Sequence, residues 1–513
     1  MPLPPVADAA QKTWILLAVC IAAITMPLNF TAAAVALPAI GRTFGADPLA
    51  LNWVTNAFML TFGSCLMLGG ALADSYGRKR LFLAGVSAFA ALSAGLTVAP
   101  SLLWFDLLRA AQGIAAAAAL SGGMSALAQE FEGHERMRAF SFVGSGFGIG
   151  LAFGPIASGL MIKAFGWPTI FLMITALASV STVAGLRFMH ESRNRQAAGI
   201  DWPGALSFTW ALTVFTDAML QAQQSGWSDP WVVALLICAL LSFMAFVFIE
   251  RRVARPMLDL TLFRYPRFVG VQLLAAAPAY AFVVLLVLLP IRFIGIDGMS
   301  EIDAGRLMIA LSAPLLVLPI VAGRLVRWLS PSMLCGIGLL VSAAGLLWLS
   351  HVPAASPTMA FAWPMLLIGV GISLPWGLMD GLAVSVVPKE RAGMATGIFS
   401  TMRVAGEGVA VAVVTAILSA LTSQHLSDAV PQPTALTSNA AQHLVTGDLS
   451  GAASLLPDVG RALLVTGYSD AFSTLLLILT TITLVAAAVV FLILDRGTPG
   501  DDDASPGQHP VRA

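Results

Sequence analysis

Apolar segments of about 20 residues recur along almost the whole chain with only short polar interruptions, and each, as a helix rising 1.5 Å per residue, spans roughly 30 Å of hydrocarbon. They lie near 13–40, 51–73, 80–99, 102–128, 138–165, 168–188, 203–222, 230–249, 268–292, 303–323, 333–351, 361–386, 393–421 and 471–494. The pattern predicts an all-α integral membrane protein with fourteen transmembrane helices. Composition agrees, since 11% of the residues are charged against about 25% in a soluble domain. Basic and acidic residues balance at 27 each, which removes the polybasic nucleic-acid binder. Cys20, Cys65, Cys238 and Cys335 sit in apolar stretches without ligand spacing, so neither a disulfide nor a metal site is expected. The first apolar run is too long for a signal peptide and reads as the first span.

Charge placement sets the orientation. On an alternating path, the loops after even-numbered helices and both termini carry twenty of the Lys and Arg residues, from Lys12 and Arg78 to Arg496 and Arg512. The opposite side holds Arg42, Lys163, Arg292, Arg306 and Arg461, while Arg109 and Arg403 fall inside helices. By the positive-inside rule the first set, and both termini, are cytoplasmic. Residues 422–470 are polar and read as a periplasmic loop, and 495–513 as a disordered Asp-rich cytoplasmic tail after the short cytoplasmic N-terminus of 1–12.

The chain carries traces of an internal repeat. Gly70, Leu72, Leu81 and Gly85 recur as Gly323, Leu325, Leu334 and Gly338, and Glu135-Arg136 recurs as Glu390-Arg391. Nearly equal offsets predict two six-helix bundles, 13–188 and 268–494, with two extra helices inserted at 203–249.

The turn after helix 2 places Gly70, Leu72, Asp74, Gly77, Arg78, Lys79 and Arg80 in the spacing G-x-L-x-D-x-x-G-R-[KR]-[KR]. Three cations alone would be explained by a positive-inside anchor. The full spacing resembles the signature loop of the major facilitator superfamily, in which the resemblance implies Asp74 and Arg78 as gating residues between two bundles. Helix 4 carries Arg109, Gln112 and Gly113; a guanidinium in a membrane helix is costly and faces an interior or a cavity. These residues resemble the superfamily's R-x-x-Q-G element, associated with proton transfer.

Helix 5 has Gly146, Gly150 and Gly154 at four-residue spacing, a groove for close helix packing, and Pro155, which bends the helix by removing a donor. Gly150, Gly154, Pro155 and Gly159 resemble the antiporter motif G-P-x-x-G-G, with Ser158 at one glycine position; this implies outward transport. Leu28-Asn29-Phe30-Thr31 and Val35-Ala36-Leu37-Pro38 resemble the helix-1 element of the fourteen-helix drug:proton antiporters. Asn29 stands where that subfamily has Asp, and an amide does not titrate.

Proton coupling must therefore use another acid or be lost. Glu407 in helix 13, Asp380 in helix 12 and Asp217 in helix 7 are the intramembrane candidates in that order, with Arg403 spaced to pair with Glu407 at i, i+4. The six histidines lie in loops, tails or helix ends and offer no relay. Asn29, Asn56, Phe58, Gln112 and Trp376 are the expected cavity lining. No phosphate-cradling loop of the G-x-x-x-x-G-K-[ST] type occurs, so the energy source is expected to be an ion gradient.

These features describe a transporter of the bacterial inner membrane, not an enzyme, without cofactor. The resemblance implies that it exports small amphipathic compounds against protons by alternating access. A dedicated exporter of one metabolite or antibiotic is the alternative, and a non-transporting sensor or scaffold a remoter one. Relatives in the resembled subfamily work with a periplasmic adaptor and outer-membrane channel, which makes 422–470 the expected contact for such partners.

Overall fold

The structure, a computed structural model, describes residues 9–45, 48–192, 201–253, 264–353, 356–387, 392–429 and 435–494, and among them every regular element is helical. The start of the expected N-terminal segment, the 495–513 tail, Glu390 and Arg391 lie outside the described residues. Six helices come first: α1 (Ala9–Phe44), α2 (Pro48–Tyr76), α3 (Arg78–Leu96), α4 (Leu102–Glu130), α5 (Gly133–Phe165) and α6 (Pro168–Phe188). Then follow α7 (Trp202–Ser225) and α8 (Pro230–Glu250). The second set comprises α9 (Pro266–Ile296), α10 (Asp303–Leu325), α11 (Pro331–Ser350), α12 (Thr358–Ser385), α13 (Ala392–Ala429), the short α14 (Ala435–Val445) and α15 (Leu449–Leu455), and α16 (Arg461–Leu494).

Among the described residues twelve helices are long and apolar enough to cross a membrane, and α5 adds a thirteenth when its two bent pieces count as one span. The count of fourteen is not reached on this measure. α7 is absent from the twelve, its sequence diluted by Thr, Gln and Asp217. The pieces of α5, Gly133–Leu151 and Phe153–Phe165, meet at 41°. Pro155 accounts for the bend, because it has no N–H for the Leu151 carbonyl and its ring crowds that group. α9 stays continuous but widens into π turns at Ala279–Val283 and Ile291–Ile296, each directly after a proline, Pro278 and Pro290.

The buried apolar side chains form two large clusters that follow the two helix sets. One draws on α1 to α6, with Ile15, Phe82, Phe105 and Ile174; the other on α9 to α16, with Leu285, Leu339, Phe399 and Leu475. Two glycines of the expected repeat pack in a similar way. Gly85 of α3 lies against the backbone of Ala115 and Ala119 in α4, and Gly338 of α11 lies against Gly371 of α12. At both places a Cβ would collide with the neighbouring backbone, so glycine sets the helix separation.

The 422–470 stretch is more ordered than a polar loop. α13 continues to Ala429, α16 begins at Arg461, and α14 and α15 lie between. Ala440, Ala441, Leu444 and Val445 share one face of α14 and are buried with Leu449 and Ala452 of α15 in the second core. Averaged over the stretch this apolar face is hidden by the polar residues opposite it.

The two halves touch along α2 with α13 and along α5 with α10 and α12. Gly397 of α13 lies against Met67, Gly63 of α2 against Val404, Gly144 of α5 against the Trp376 backbone and Gly148 against Leu315 of α10. Ser141 Oγ donates to the Gly377 carbonyl at 2.8 Å. Helices 2 and 5 of the first set meet the counterparts of helices 5 and 2 in the second, as a repeat-related two-fold requires.

Candidate functional site

At the end of the bundle carrying the α2–α3 turn, Asp74 joins the halves. Its Oδ1 accepts from Arg78 Nη2 at 2.8 Å, and its Oδ2 accepts from the backbone N–H of Met394, near the start of α13, at 2.9 Å. Gly77 has φ +118°, a conformation that L side chains rarely adopt, and a Cβ there would run into the Glu191 carboxylate. Lys79 Nζ donates to the carbonyls of Leu186 and Met189 at the end of α6, and the Arg80 backbone N–H donates to Glu191. Gly70 is buried on α2. The sequence-predicted turn is thus a junction of α2, α3, α6 and α13.

A polar network crosses the first half. Arg109, wholly buried, donates from Nε to the Val54 carbonyl at 2.7 Å and from Nη1 to Gln112 Oε1, with its guanidinium over the Phe58 ring at 4.6 Å. Gln112 donates to Ser93 Oγ at 2.7 Å and accepts from Asn29 Nδ2 at 3.4 Å. Asn29, Phe58, Gln112 and Arg109 therefore come together, while Asn56 lies half-buried on the same helix as Phe58. Asn29 occupies the place read as the subfamily's acid, and here it is an amide bound to an amide.

The second half has a charged counterpart. Arg403 of α13 donates to both carboxylate oxygens of Asp380 on α12, at 3.1 and 3.3 Å, and both residues are 6% exposed. Its guanidinium also lies 5.5 Å from the ring centre of Phe147, on the opposite half, and 5.6 Å from Phe399. Arg403 thus pairs with Asp380 across two helices, not with Glu407 as its spacing suggested. Glu407 stands one turn further along α13, beside Gly408, around which a Cβ would meet open space. Trp376 is buried, with its ring edge to face with Phe282 and its Nε1 without a partner. Asp217 is on α7, apart from these contacts, where Ala218 and Met219 pack with Ala412.

The glycines of α5 divide their work. Gly146, Gly150 and Gly154 lie against Cys20, Ile24, Pro27 and Thr31 of α1, as the predicted groove requires. Gly144 and Gly148 face the other half. Gly159 meets nothing within 4 Å and Pro155 is exposed, so neither packs as a motif glycine or proline at a helix contact would.

Several charged groups escaped the sequence reading, Arg292 and Asp106 among them. Arg292 was counted with the loop cations, but α9 continues to Ile296 and buries it 3.4 Å from Asp297, with Phe472 and Phe361 at 4.7 and 5.7 Å and the fully buried Tyr468 nearby. Asp106 lies on α4 one turn before Arg109. The i, i+3 spacing of Asp106 and Arg109 was the available signal. For Arg292 the cue was absent, because the apolar run thins out at its position.

A cleft of about 550 Å³ opens between the halves at the α2–α3 end, lined by His134, Arg136, Arg327 and Trp328 among others. It lies away from the buried networks. Among the described residues no group of three or more His, Cys, Asp or Glu is placed to hold a metal.

A family model described as Major Facilitator Superfamily matches residues 19–411. The multidrug resistance protein Stp of Mycobacterium tuberculosis is 31% identical over 405 residues, 78% of this chain and 75% of that protein. The puromycin resistance protein pur8 of Streptomyces alboniger is 30% identical, covering 83% and 85%. The tetracenomycin C resistance and export protein of Streptomyces glaucescens is 27% identical over 99% of this chain and 96% of its own length. The crystal structure of the human organic anion transporter MFSD10 superposes with a TM-score of 0.65 at 13% identity, over 95% of this chain and 100% of that one, a likeness of fold.

Proposed function

We propose, since the chain belongs to the Major Facilitator Superfamily, that this multi-span transporter exports small amphipathic compounds across the bacterial inner membrane in exchange for protons. Its relatives named for resistance to puromycin and tetracenomycin C and for multidrug resistance support export as the direction. The two helix sets, 13–188 and 268–494, rock about the central site, and the inserted pair at 203–249 rides beside them. In this reading α5 is one bent span and α7 a more polar one, giving fourteen.

The cation count supports a cytoplasmic placement of both termini and of the α2–α3 end. Burial of Arg292 removes one cation from the opposite side and strengthens the bias. The contacts at Asp74, Ser141, Gly144 and Gly397 then hold the halves together on the cytoplasmic side, and in this reading they part when the site faces inward. Asp74 and Arg78 act as the latch.

The observation that carries the coupling is the buried Arg403–Asp380 pair with Glu407 one turn away, against Phe147 of the opposite half. Intramembrane ions are costly and concentrate on transport pathways. Protons arriving from outside bind Glu407 or Asp380 and release substrate; facing inward, substrate binding and deprotonation compete. The test uses the full chain in liposomes with puromycin, lincomycin, tetracenomycin C and ethidium. Glu407→Gln is expected to lose proton-driven transport, and undiminished coupled efflux would remove that residue from the mechanism.

A dedicated exporter is the second reading, favoured by relatives named for single antibiotics. In that case one compound of the panel is moved and the rest are not. A periplasmic adaptor with an outer-membrane channel is the proposed partner of α14, whose Ser438, Asn439 and Gln442 are exposed. Charged substitutions there impair export from cells but not from vesicles; equal effects would count against the partner.

A further inference from the structure

Arg109 is wholly buried, and every group that holds it is neutral: the Val54 carbonyl, Gln112 Oε1 and the Phe58 ring. Its Nη2 is buried without a hydrogen-bond partner. Among the described residues no ion pair compensates this guanidinium. One turn away on the same helix, Asp106 is half-buried with its Oδ1 shut off from solvent and likewise without a partner. A donor and an acceptor of opposite charge thus stand at i, i+3, within side-chain reach, and are not joined.

Arg109 is the charge nearest Asp106 along α4. The helices packed on α4 are α1, α2, α3, α5 and α13. Toward the same end these helices carry Arg42 of α1, Lys163 of α5 and His425 of α13, and among the described residues none of them is ion-paired with Asp106; Glu407 of α13 stands nearer the middle of its helix. Asp106 lies about 6 Å along the axis from Leu102, at the end away from the closed mouth, one residue after Phe105, whose ring meets Phe44 and Trp167. Asn29, Gln112 and Ser93, the other polar side chains of the network, do not titrate.

We infer that Asp106 is the proton-binding residue of the first half and that its ionisation switches Arg109 between two partners. When the carboxylate gives its proton to water it turns to Arg109 Nη2 and forms the missing ion pair. When it takes a proton from water the pair opens, and Nη2 is free to donate to a carbonyl or anionic oxygen of the substrate. The inference rests on the export reading but assigns the coupling to a second site, in the half opposite Glu407.

Infrared titration of the reconstituted full chain across the neutral range reads the Asp106 proton without any substrate. Asp106→Asn is expected to remove one carboxyl C=O band and one exchangeable proton per protein, and Asp106→Glu to restore both with the band displaced. Puromycin exchange between vesicles should persist in Asp106→Asn while its proton-driven movement falls at least tenfold. An unchanged band and proton count in Asp106→Asn would overturn the inference. Failure of the wild type to move protons with any compound would instead overturn the export reading, and the infrared result would still decide whether Asp106 titrates.

Discussion

The latch proposed at Asp74 gives a population shift whose size follows from where Arg78 and the Met394 N–H sit. Arg78 belongs to the same half as Asp74, travels with it, and contributes equally to the closed and open states. The Met394 N–H belongs to the other half, so its 2.9 Å bond exists only while this mouth is closed. A hydrogen bond to a charged group contributes about 1.5–3 kcal/mol, and from this bond alone Asp74→Ala lowers the closed-to-open ratio about 10- to 150-fold. Asp74→Asn keeps an acceptor but not the charge, and the expected loss is about fivefold. Spin labels at Tyr76 and Ser385, in a variant whose four cysteines are replaced by alanine, report the mouth by pulsed electron resonance in nanodiscs. The long-distance population should rise in the order wild type, Asn, Ala. A closed fraction in Asp74→Ala matching the wild type would refute the assignment of the Met394 bond as the element that biases the two states.

Removing one partner of the buried Arg403–Asp380 pair leaves a charge without compensation, so Asp380→Asn is expected to cost about 3–5 kcal/mol in thermal or denaturant unfolding. The double variant Asp380→Leu with Arg403→Met should recover most of it, and a double variant as unstable as the single would argue against the pair. Gly148→Val places methyls against Leu315 across the halves and should destabilise the closed mouth by about 1–3 kcal/mol, visible with the same spin labels. Outside the membrane, Asp448 caps α15: the Gly451 N–H, then His443 and Ser450, hold its carboxyl below the ordinary value of 3.8. A depressed folded value means stabilisation is present above 3.8 and is lost as pH falls through the lower folded value. Hydrogen exchange across Leu449–Leu455 should therefore quicken on that acidification, and in Asp448→Ala should be fast and flat across the same window.

Local signals in the chain were enough for much of what depends on one helix and its solvent, though not for the extent of α9 or for α14 and α15. Segment length and apolarity marked the spans because lipid supplies no hydrogen bonds and a helix satisfies its own backbone. Charge asymmetry suggested orientation, and the glycine spacing of α5 indicated the face that meets α1, because both are properties of short stretches. The turn from Gly70 to Arg80 was legible for the same reason, down to the glycine whose φ only that residue adopts freely.

Whatever depends on which helices become neighbours was not legible. Arg403 had two acids in reach by sequence, at i+4 on its own helix and on α12, and packing of α12 against α13 selected Asp380. Arg292 looked like a loop cation until the folded chain extended α9 and enclosed it between Phe361 and Phe472. Residues 422–470 averaged to a polar loop, yet one face of α14 and α15 closes the second core. The Met394 N–H at Asp74 is a backbone group, which has no sequence signature at all. Sequence determines helices because their bonds are local, whereas the pairing of buried charges is decided by tertiary contact, where a few ångströms choose between partners that the chain offers equally.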